Sequence, residues 1–330
     1  MKALLSETPG GPDSLVLRDI PEPTPAAGEV RIVVKACGIN YPDALVIEDK
    51  YQFKPPRPFA PGFEAAGIVE QLGEGVSALK VGDHVIAHTS HGGLAEKLVA
   101  NEKNCTVIPA DMPFDIAASV LLTYSTSLHA LQDRAALKAG ETLLVLGAAG
   151  GVGLAAVELG KALGARVIAA VSSAEKAAVA REHGADSTLI YPTEPTDTKA
   201  LAAAFKDACG KHGADVIYDP VGGDYAEAAL RAIAWQGRYL VVGFPAGIPR
   251  IALNLPLLKG CDIRGVFWGA YAERDPAAHA RLMASLLDLY AHGRIRPKIS
   301  ARFPLPQGGE AIKKLLRREA IGKIVVQCTV

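Results

Sequence analysis

From about residue 123 the chain alternates between continuous apolar runs and helical patterns. "TLLVLG" precedes the helix "GVGLAAVELGKALGA". "RVIAAVS" precedes "AEKAAVAREHGA", which should stop at Gly184. "STLIY" precedes "TDTKALAAAFKDACGKHGA". "DVIYDPVGG" precedes "YAEAALRAIAWQG". "RYLVVGF" follows, and "DIRGVFW" closes the series. Six apolar strands separated by helices predict a parallel sheet covered on both faces. Consecutive right-handed crossovers make that sheet doubly wound, the α/β arrangement of the Rossmann nucleotide-binding fold.

The first 120 residues have another texture. "GEVRIVVKACGI", "GFEAAGIVEQLGEGV" and "VGDHVIAH" read as short strands with glycine at their ends. Proline is dense in "PEPTP" and "KPPRPFAPG". This predicts an irregular β-barrel or sandwich. After a last helix, "DPAAHARLMASLLDLYAHGRI", the tail carries the apolar ends "ISARFPLP" and "IGKIVVQC". These resemble the first domain, so the chain is expected to return and complete it. The expected division is 1–122, then 123–268 as the nucleotide-binding domain, then 269–330 as the return.

Composition adds limits. At 330 residues and 49% hydrophobic, the chain can fill two cores. Formal net charge is zero, which gives no reason to expect a nucleic-acid or membrane-surface partner. The start, "MKALLSETPGGPD", is too short in apolar residues for a secretory leader, and no run of about 18 apolar residues occurs. A cytoplasmic protein is expected. Five cysteines, none in a CxxC pair, fit scattered reduced thiols.

The stretch "LLVLGAAGGVG" joins the first strand of the alternating series to its first helix. Gly147, Gly150, Gly151 and Gly153 give G-x-x-G-x-x-G. A pyrophosphate on the free amides of a helix N-terminus is held by those donors and by the helix dipole, provided no Cβ stands in the way. In its strand–turn–helix setting the pattern predicts a dinucleotide site, with Gly150, Gly151 and Val152 at the phosphates. An NAD site usually ends its second strand in Asp or Glu. Here that place reads "AAVSSAEK". Ser172, Ser173 and Lys176 supply hydroxyls and a positive charge suited to a 2′-phosphate, although Glu175 partly offsets Lys176. NADPH is therefore the expected cofactor.

"ACGINYPD", "PGFEAAGIVEQLGEGV", "VGDHV", "TYSTSLHAL", "GAAGGVG", "YDPVGG" and the terminal "GKIVV" together resemble the zinc-independent medium-chain dehydrogenases/reductases, of the NADPH:quinone oxidoreductase (zeta-crystallin-like) branch. The resemblance spans nearly the whole chain. It implies a GroES-like catalytic domain in two segments, a Rossmann domain between them, an active cleft at their junction, and a homodimer joined through the last Rossmann strands near "DIRGVFW". In the zinc-dependent relatives a cysteine ligand corresponds to Asn40 and a histidine ligand to Phe63, while "LLTYSTS" lacks their further cysteine and the four-cysteine lobe is missing. Neither Asn nor Phe can serve in a tetrahedral zinc site, so no metal is expected. His84, His88 and His91 cluster in sequence, but His84 and His88 on one strand would lie more than about 10 Å apart. Solvated or hydrogen-bonded histidines account for them.

The same resemblance assigns site residues. Asn40 is implied as a polar contact to nicotinamide and substrate, and Tyr41 as a substrate neighbour that could simply pack. Tyr51 is implied as the donor to the substrate oxygen, though an exposed loop tyrosine is also common. Thr126 is implied at the nicotinamide carboxamide; a hydroxyl bonded to its own helix is the alternative. Tyr191 is implied near the 2′-phosphate, and Gly243 and Phe244 at the nicotinamide ribose. Phe267 and Trp268 would wall the substrate pocket or pack a dimer, and Lys323 would reach toward the cofactor. Three functions stay open. They are reduction of a quinone by NADPH, reduction of an activated alkene such as an enone or acryloyl thioester, and a structural or RNA-binding role for a dinucleotide-binding protein. Neutral charge speaks against RNA as the main partner.

Overall fold

The computed structural model describes residues 1–193 and 197–329. Thr196, the first residue of the third expected helix, lies outside them. Two units are separated by their internal contacts: residues 1–122 with the tail from Pro297, and residues 123–296. The division falls within the helix Leu121–Leu128. Among the described residues no helix is long and apolar enough to cross a membrane.

In the first unit, β1 (Lys2–Ser6) pairs antiparallel with β2 (Leu15–Asp19) as a separate ribbon. The long strand β3 (Glu29–Ile39) pairs antiparallel with β4 (Glu64–Leu72). β5 (His84–His88) extends the sheet beyond β4. β6 (Lys97–Asn101) also pairs with β3, and β7 (Cys105–Val107) with β5. Alternation of buried and half-buried residues runs along β3 from Val30 to Ala36, as a one-sided strand requires. From Ala36 to Ile39 every residue is buried. Gly38 explains the change. A Cβ there would lie 1.9 Å from the Ala118 carbonyl oxygen and 2.4 Å from a Glu64 carboxylate oxygen. Glycine inside a strand marks such a close approach.

The second unit carries β8 (Thr142–Val145), β9 (Arg166–Val171), β10 (Ser187–Ile190), β11 (Ala214–Asp219), β12 (Ile233–Val241) and β13 (Asp262–Gly265). All pairings are parallel, in the order β10-β9-β8-β11-β12-β13. The strand order reverses between β8 and β11. In such sheets ligands bind in the crevice beyond the carboxyl ends of the two strands that flank the reversal. The tail strands β14 (Ile299–Pro304) and β15 (Lys323–Gln327) return to the first unit, where β15 pairs with β3 and sets Val326 opposite Cys37.

Three expectations are corrected. "YAEAALRAIAWQG" is not one helix: the helix Asp224–Leu230 stops and β12 begins at Ile233. Ile233 and Ala234 are buried as the chain leaves the helix after Arg231, and Gln236, at φ 58°, lies inside the strand. "DIRGVFW" is strand only to Gly265, because Trp268 opens the helix Trp268–Arg274. The return to the first unit starts at Pro297 rather than 269. The helix Pro276–Ala291 buries Leu282, Met283 and Leu286, and Ser125 donates to the Met283 sulfur at 3.2 Å. Glu158 also accepts from the Arg296 amide at 3.0 Å, which ties the segment's end to the same unit.

Candidate active site

Gly150 caps the helix Gly151–Ala162 without a side chain. The first bond into that helix runs from the Leu154 amide to the Gly150 carbonyl at 2.8 Å. The amides of Gly151, Val152 and Gly153 therefore lack a backbone acceptor, as helix geometry requires. The glycines around them have different causes. A Cβ on Gly153 would stand 2.2 Å from the Gly147 carbonyl oxygen, so this glycine lets the helix pack on the strand turn. Gly147 sits at φ 56°, and a Cβ there would meet Val221 at 2.8 Å. At Gly150 a Cβ would meet only the Gly147 oxygen, at 3.4 Å. The protein's own packing explains Gly147 and Gly153. The open space over Gly150 fits an anion approaching the three free amides.

The neighbouring groups gather along the carboxyl ends of the strands. The Ala148 amide bonds the Ala170 carbonyl at 3.1 Å, fixing the turn against the end of β9. Just past β9, Lys176 Nζ donates to Ser172 Oγ at 3.1 Å, and Ser173 Oγ caps the next helix by accepting from the Lys176 amide at 3.2 Å. These three residues come together just past the end of β9. The buried Tyr191 hydroxyl accepts from the Gly147 amide at 3.1 Å, so Tyr191 supports the glycine turn itself. On the β11 side Asp219 accepts from the amides of Val221 and Gly222 at 2.8 and 2.9 Å and from the Tyr239 hydroxyl. Burial raises its carboxyl above the ordinary value, against these donors. A Cβ on Gly222 would lie 3.1 Å from the Phe244 ring, so that loop packs beside Gly243 and Phe244. Sequence reasoning passed over Asp219; its signal was the acid preceding "PVGG".

Thr126 is half-buried, and its hydroxyl has no hydrogen-bond partner among the described residues. The self-bonded alternative is thus not the one observed. Phe267 and Trp268 part company: Phe267 is 58% exposed, whereas Trp268 is buried with its ring 5.4 Å from that of His279.

The first unit holds a buried polar cluster. Lys323 Nζ donates to Asn40 Oδ1 and Glu64 Oε1, both at 2.6 Å, and to the Ile39 carbonyl at 3.1 Å. Asn40 Nδ2 donates to the Gly38 carbonyl at 3.1 Å and to Glu64 Oε1 at 3.0 Å. The other Glu64 oxygen accepts from the Leu122 amide at 2.7 Å. Asp43 accepts from the amides of Asn40 and Gly62 at 2.7 and 2.9 Å. Burial pushes its carboxyl up to about 7 despite those donors and the Lys323 charge. Gly38 and Asp43 were missed from sequence; glycine within an apolar strand was the available signal.

Tyr41 opens the helix Tyr41–Ile47 and is half-buried. Tyr51 is half-buried, its ring edge-on to Phe53 at 5.3 Å and to Phe63 at 5.4 Å. Its hydroxyl has no hydrogen-bond partner among the described residues. Burial, then the Asp43 carboxylate, raises its phenol pKa. Phe63 is therefore core material. The His84 ring lies 4.8 Å from Phe114 and the His91 ring 5.8 Å from Phe59. Among the described residues no group of three or more His, Cys, Asp or Glu could hold a metal ion.

Comparison with known proteins agrees with this architecture. Residues 26–110 match the alcohol dehydrogenase GroES-like domain, and residues 151–285 match the family described as zinc-binding dehydrogenase. A quinone oxidoreductase of Pseudomonas aeruginosa is 35% identical over 96% of this chain and 96% of its own length. A quinone oxidoreductase-like protein 2 homolog of Nematostella vectensis is 38% identical over 90% of this chain and 81% of its own. Among solved structures, Escherichia coli quinone oxidoreductase complexed with NADPH has a TM-score of 0.90 at 28% identity, covering 99% of this chain and all of that one. A mycobacterial protein complexed with NADPH has a TM-score of 0.92 at 31% identity, covering 99% and 100%. A doubly wound sheet with a glycine turn, beside a GroES-like unit, defines the medium-chain dehydrogenase/reductase class. Within that class the chain belongs to the quinone oxidoreductase family.

Proposed function

We propose that this chain is an NADPH-dependent quinone oxidoreductase that works in the cytoplasm without a metal. One observation carries the cofactor: the amides of Gly151, Val152 and Gly153 lack a backbone acceptor beside Gly150, where a Cβ would meet only the Gly147 oxygen, while Ser172, Ser173 and Lys176 stand where an NAD site would place a carboxylate. Gly150, Gly151 and Val152 would hold the pyrophosphate, and the serines with Lys176 the 2′-phosphate. Tyr191 would act by holding the Gly147 amide. Thr126, Gly243 and Phe244 would meet the nicotinamide half. When bound, NADPH supplies a hydride to an electron-poor carbon.

A quinone spreads the resulting negative charge over conjugated oxygens, so a hydrogen-bond donor suffices to stabilise it. Tyr51 is that donor. A phenol is protonated at neutral pH, burial shifts this one further in that direction, and its hydroxyl has no partner among the described residues. Asn40 cannot share the task, since both amide hydrogens are given to Gly38 and Glu64; it retains only acceptor capacity. Tyr41 and Phe267 would border the substrate. The family names of the relatives support the quinone.

The test is NADPH oxidation with 1,2-naphthoquinone, enones, enals and enoyl thioesters, compared by kcat/KM. The quinone should rank first, NADPH should exceed NADH by about tenfold or more, and Tyr51→Phe should lower turnover with little change in NADPH affinity. An enone or thioester ranking first would move the substrate class. No turnover with any acceptor would leave a dinucleotide-binding protein without this activity.

A further inference from the structure

The tail lysine has no donor left for a ligand. An ammonium carries three N–H groups, and those of Lys323 go to Ile39, Asn40 and Glu64. Lys323 is 4% exposed and Glu64 fully buried. Lysine only donates, so the Asn40 oxygen must face Nζ and the Asn40 nitrogen must face Gly38 and Glu64. The Asn40 backbone amide, in turn, anchors Asp43 in the first turn of Tyr41–Ile47. That helix leads directly into the loop carrying Tyr51, where the Lys50 amide closes on the Leu45 carbonyl at 2.9 Å.

We propose that Lys323 is a positioning residue for segment 40–51, acting through Asn40, and not a cofactor contact. Its catalytic consequence rests on the reading of Tyr51 as donor to the substrate. A buried ion pair rarely adds stability over apolar side chains of similar size. Its use here is orientation: it permits one rotamer of Asn40 and one entry angle of the helix.

The experiment compares the wild-type chain with Lys323→Met and with Lys323→Met/Glu64→Gln, which removes both members of the Lys323–Glu64 ion pair. Amide hydrogen exchange is read without ligand, NADPH Kd by fluorescence, and kcat with 1,2-naphthoquinone. In the double variant, exchange should rise at least about tenfold across residues 38–53 and stay unchanged in the second unit. NADPH Kd should hold within about twofold while kcat falls at least about tenfold. Unchanged exchange in 38–53, or an equal rise throughout the first unit, would overturn the proposal. So would loss of NADPH affinity in step with kcat. Should the wild type reduce no acceptor, the functional reading fails by itself, and the exchange result still decides the role of Lys323.

Discussion

The hydroxyl of Tyr191 accepts the amide hydrogen of Gly147 at 3.1 Å, linking the end of the third parallel strand to the first glycine of the turn. Gly147 lies past the end of β8, so its amide is outside that strand's ladder and finds its acceptor in Tyr191. Removing the hydroxyl leaves a partly buried donor unsatisfied, a loss of about 1–3 kcal/mol. Tyr191→Phe should therefore loosen the turn and weaken NADPH binding about tenfold. The ring packing against Phe205 and Tyr225 remains, so the melting temperature should fall only by what this lost bond accounts for, about 2–4 °C per kcal/mol. Fluorescence titration with NADPH checks this; unchanged Kd would reduce Tyr191 to a core residue.

Gly150 and Gly153 differ in what excludes a side chain, and alanine separates the two causes. Gly153→Ala drives a methyl to 2.2 Å from the Gly147 oxygen, so it should destabilise by about 1–3 kcal/mol. Gly150→Ala meets nothing closer than 3.4 Å, at φ −76° and ψ 171°, which any residue adopts. It should fold with a near-native melting temperature and lose at least about tenfold in NADPH affinity, because the methyl occupies the pyrophosphate's approach. Equal affinity for NADPH in Gly150→Ala would mean the phosphates lie elsewhere.

Asp43 makes stability depend on pH in a calculable direction. Burial raises its carboxyl from an ordinary 3.8 to about 7. As pH rises, the unfolded chain gives up this proton first. Between about pH 4 and 7 the folded state binds the extra proton, so this group's contribution to stability falls with rising pH. The slope is at most about 1.4 kcal/mol per pH unit, and it ends above pH 7. Asp43→Asn removes the titration and should abolish the slope, although the variant is less stable overall because one amide, of Asn40 or Gly62, loses its acceptor. Urea midpoints for both proteins at pH 5, 6, 7 and 8 test this. A difference that does not shrink toward pH 7 would place the Asp43 pKa in the usual carboxylate range.

These relationships were unequally visible in the sequence. The parallel strands could be read because each is a continuous apolar run with a helix behind it. Ser172, Ser173 and Lys176 could be grouped because they are neighbours in the chain. The start of β12 could not, since "RAIAWQG" continues a helical apolar pattern and no glycine or proline marks the helix end at Leu230. Lys323 lies 283 residues from Asn40 and 259 from Glu64, so no local pattern joins them. Its charge in an apolar tail reads as a surface lysine until β15 is paired with β3. The glycine turn was legible as the join of strand and helix, yet two of its glycines serve packing, which only the built distances reveal.

The edge strand β13 carries the last prediction, which concerns the homodimer that the family resemblance implies. β13 ends the sheet order, with Ile263 41% exposed, and Phe267 and Leu257 nearby in sequence at 58% and 78%. An edge strand with exposed apolar side chains is suited to pairing with a second copy. The Val266 amide points inward, to the Val241 carbonyl at 2.9 Å, so strand alternation turns the Ile263 amide outward. The Gly265 carbonyl is outward too, where Arg134 Nε donates to it at 3.0 Å. Ile263→Pro removes an outward donor while sparing the pairing with β12. Sedimentation velocity should show a wild-type dimer and a variant of half the mass, with NADPH affinity within about twofold, because the free amides of Gly151 and Val152 lie on another strand's helix. A wild type that sediments as a monomer, or a variant that still pairs, would move the contact away from β13.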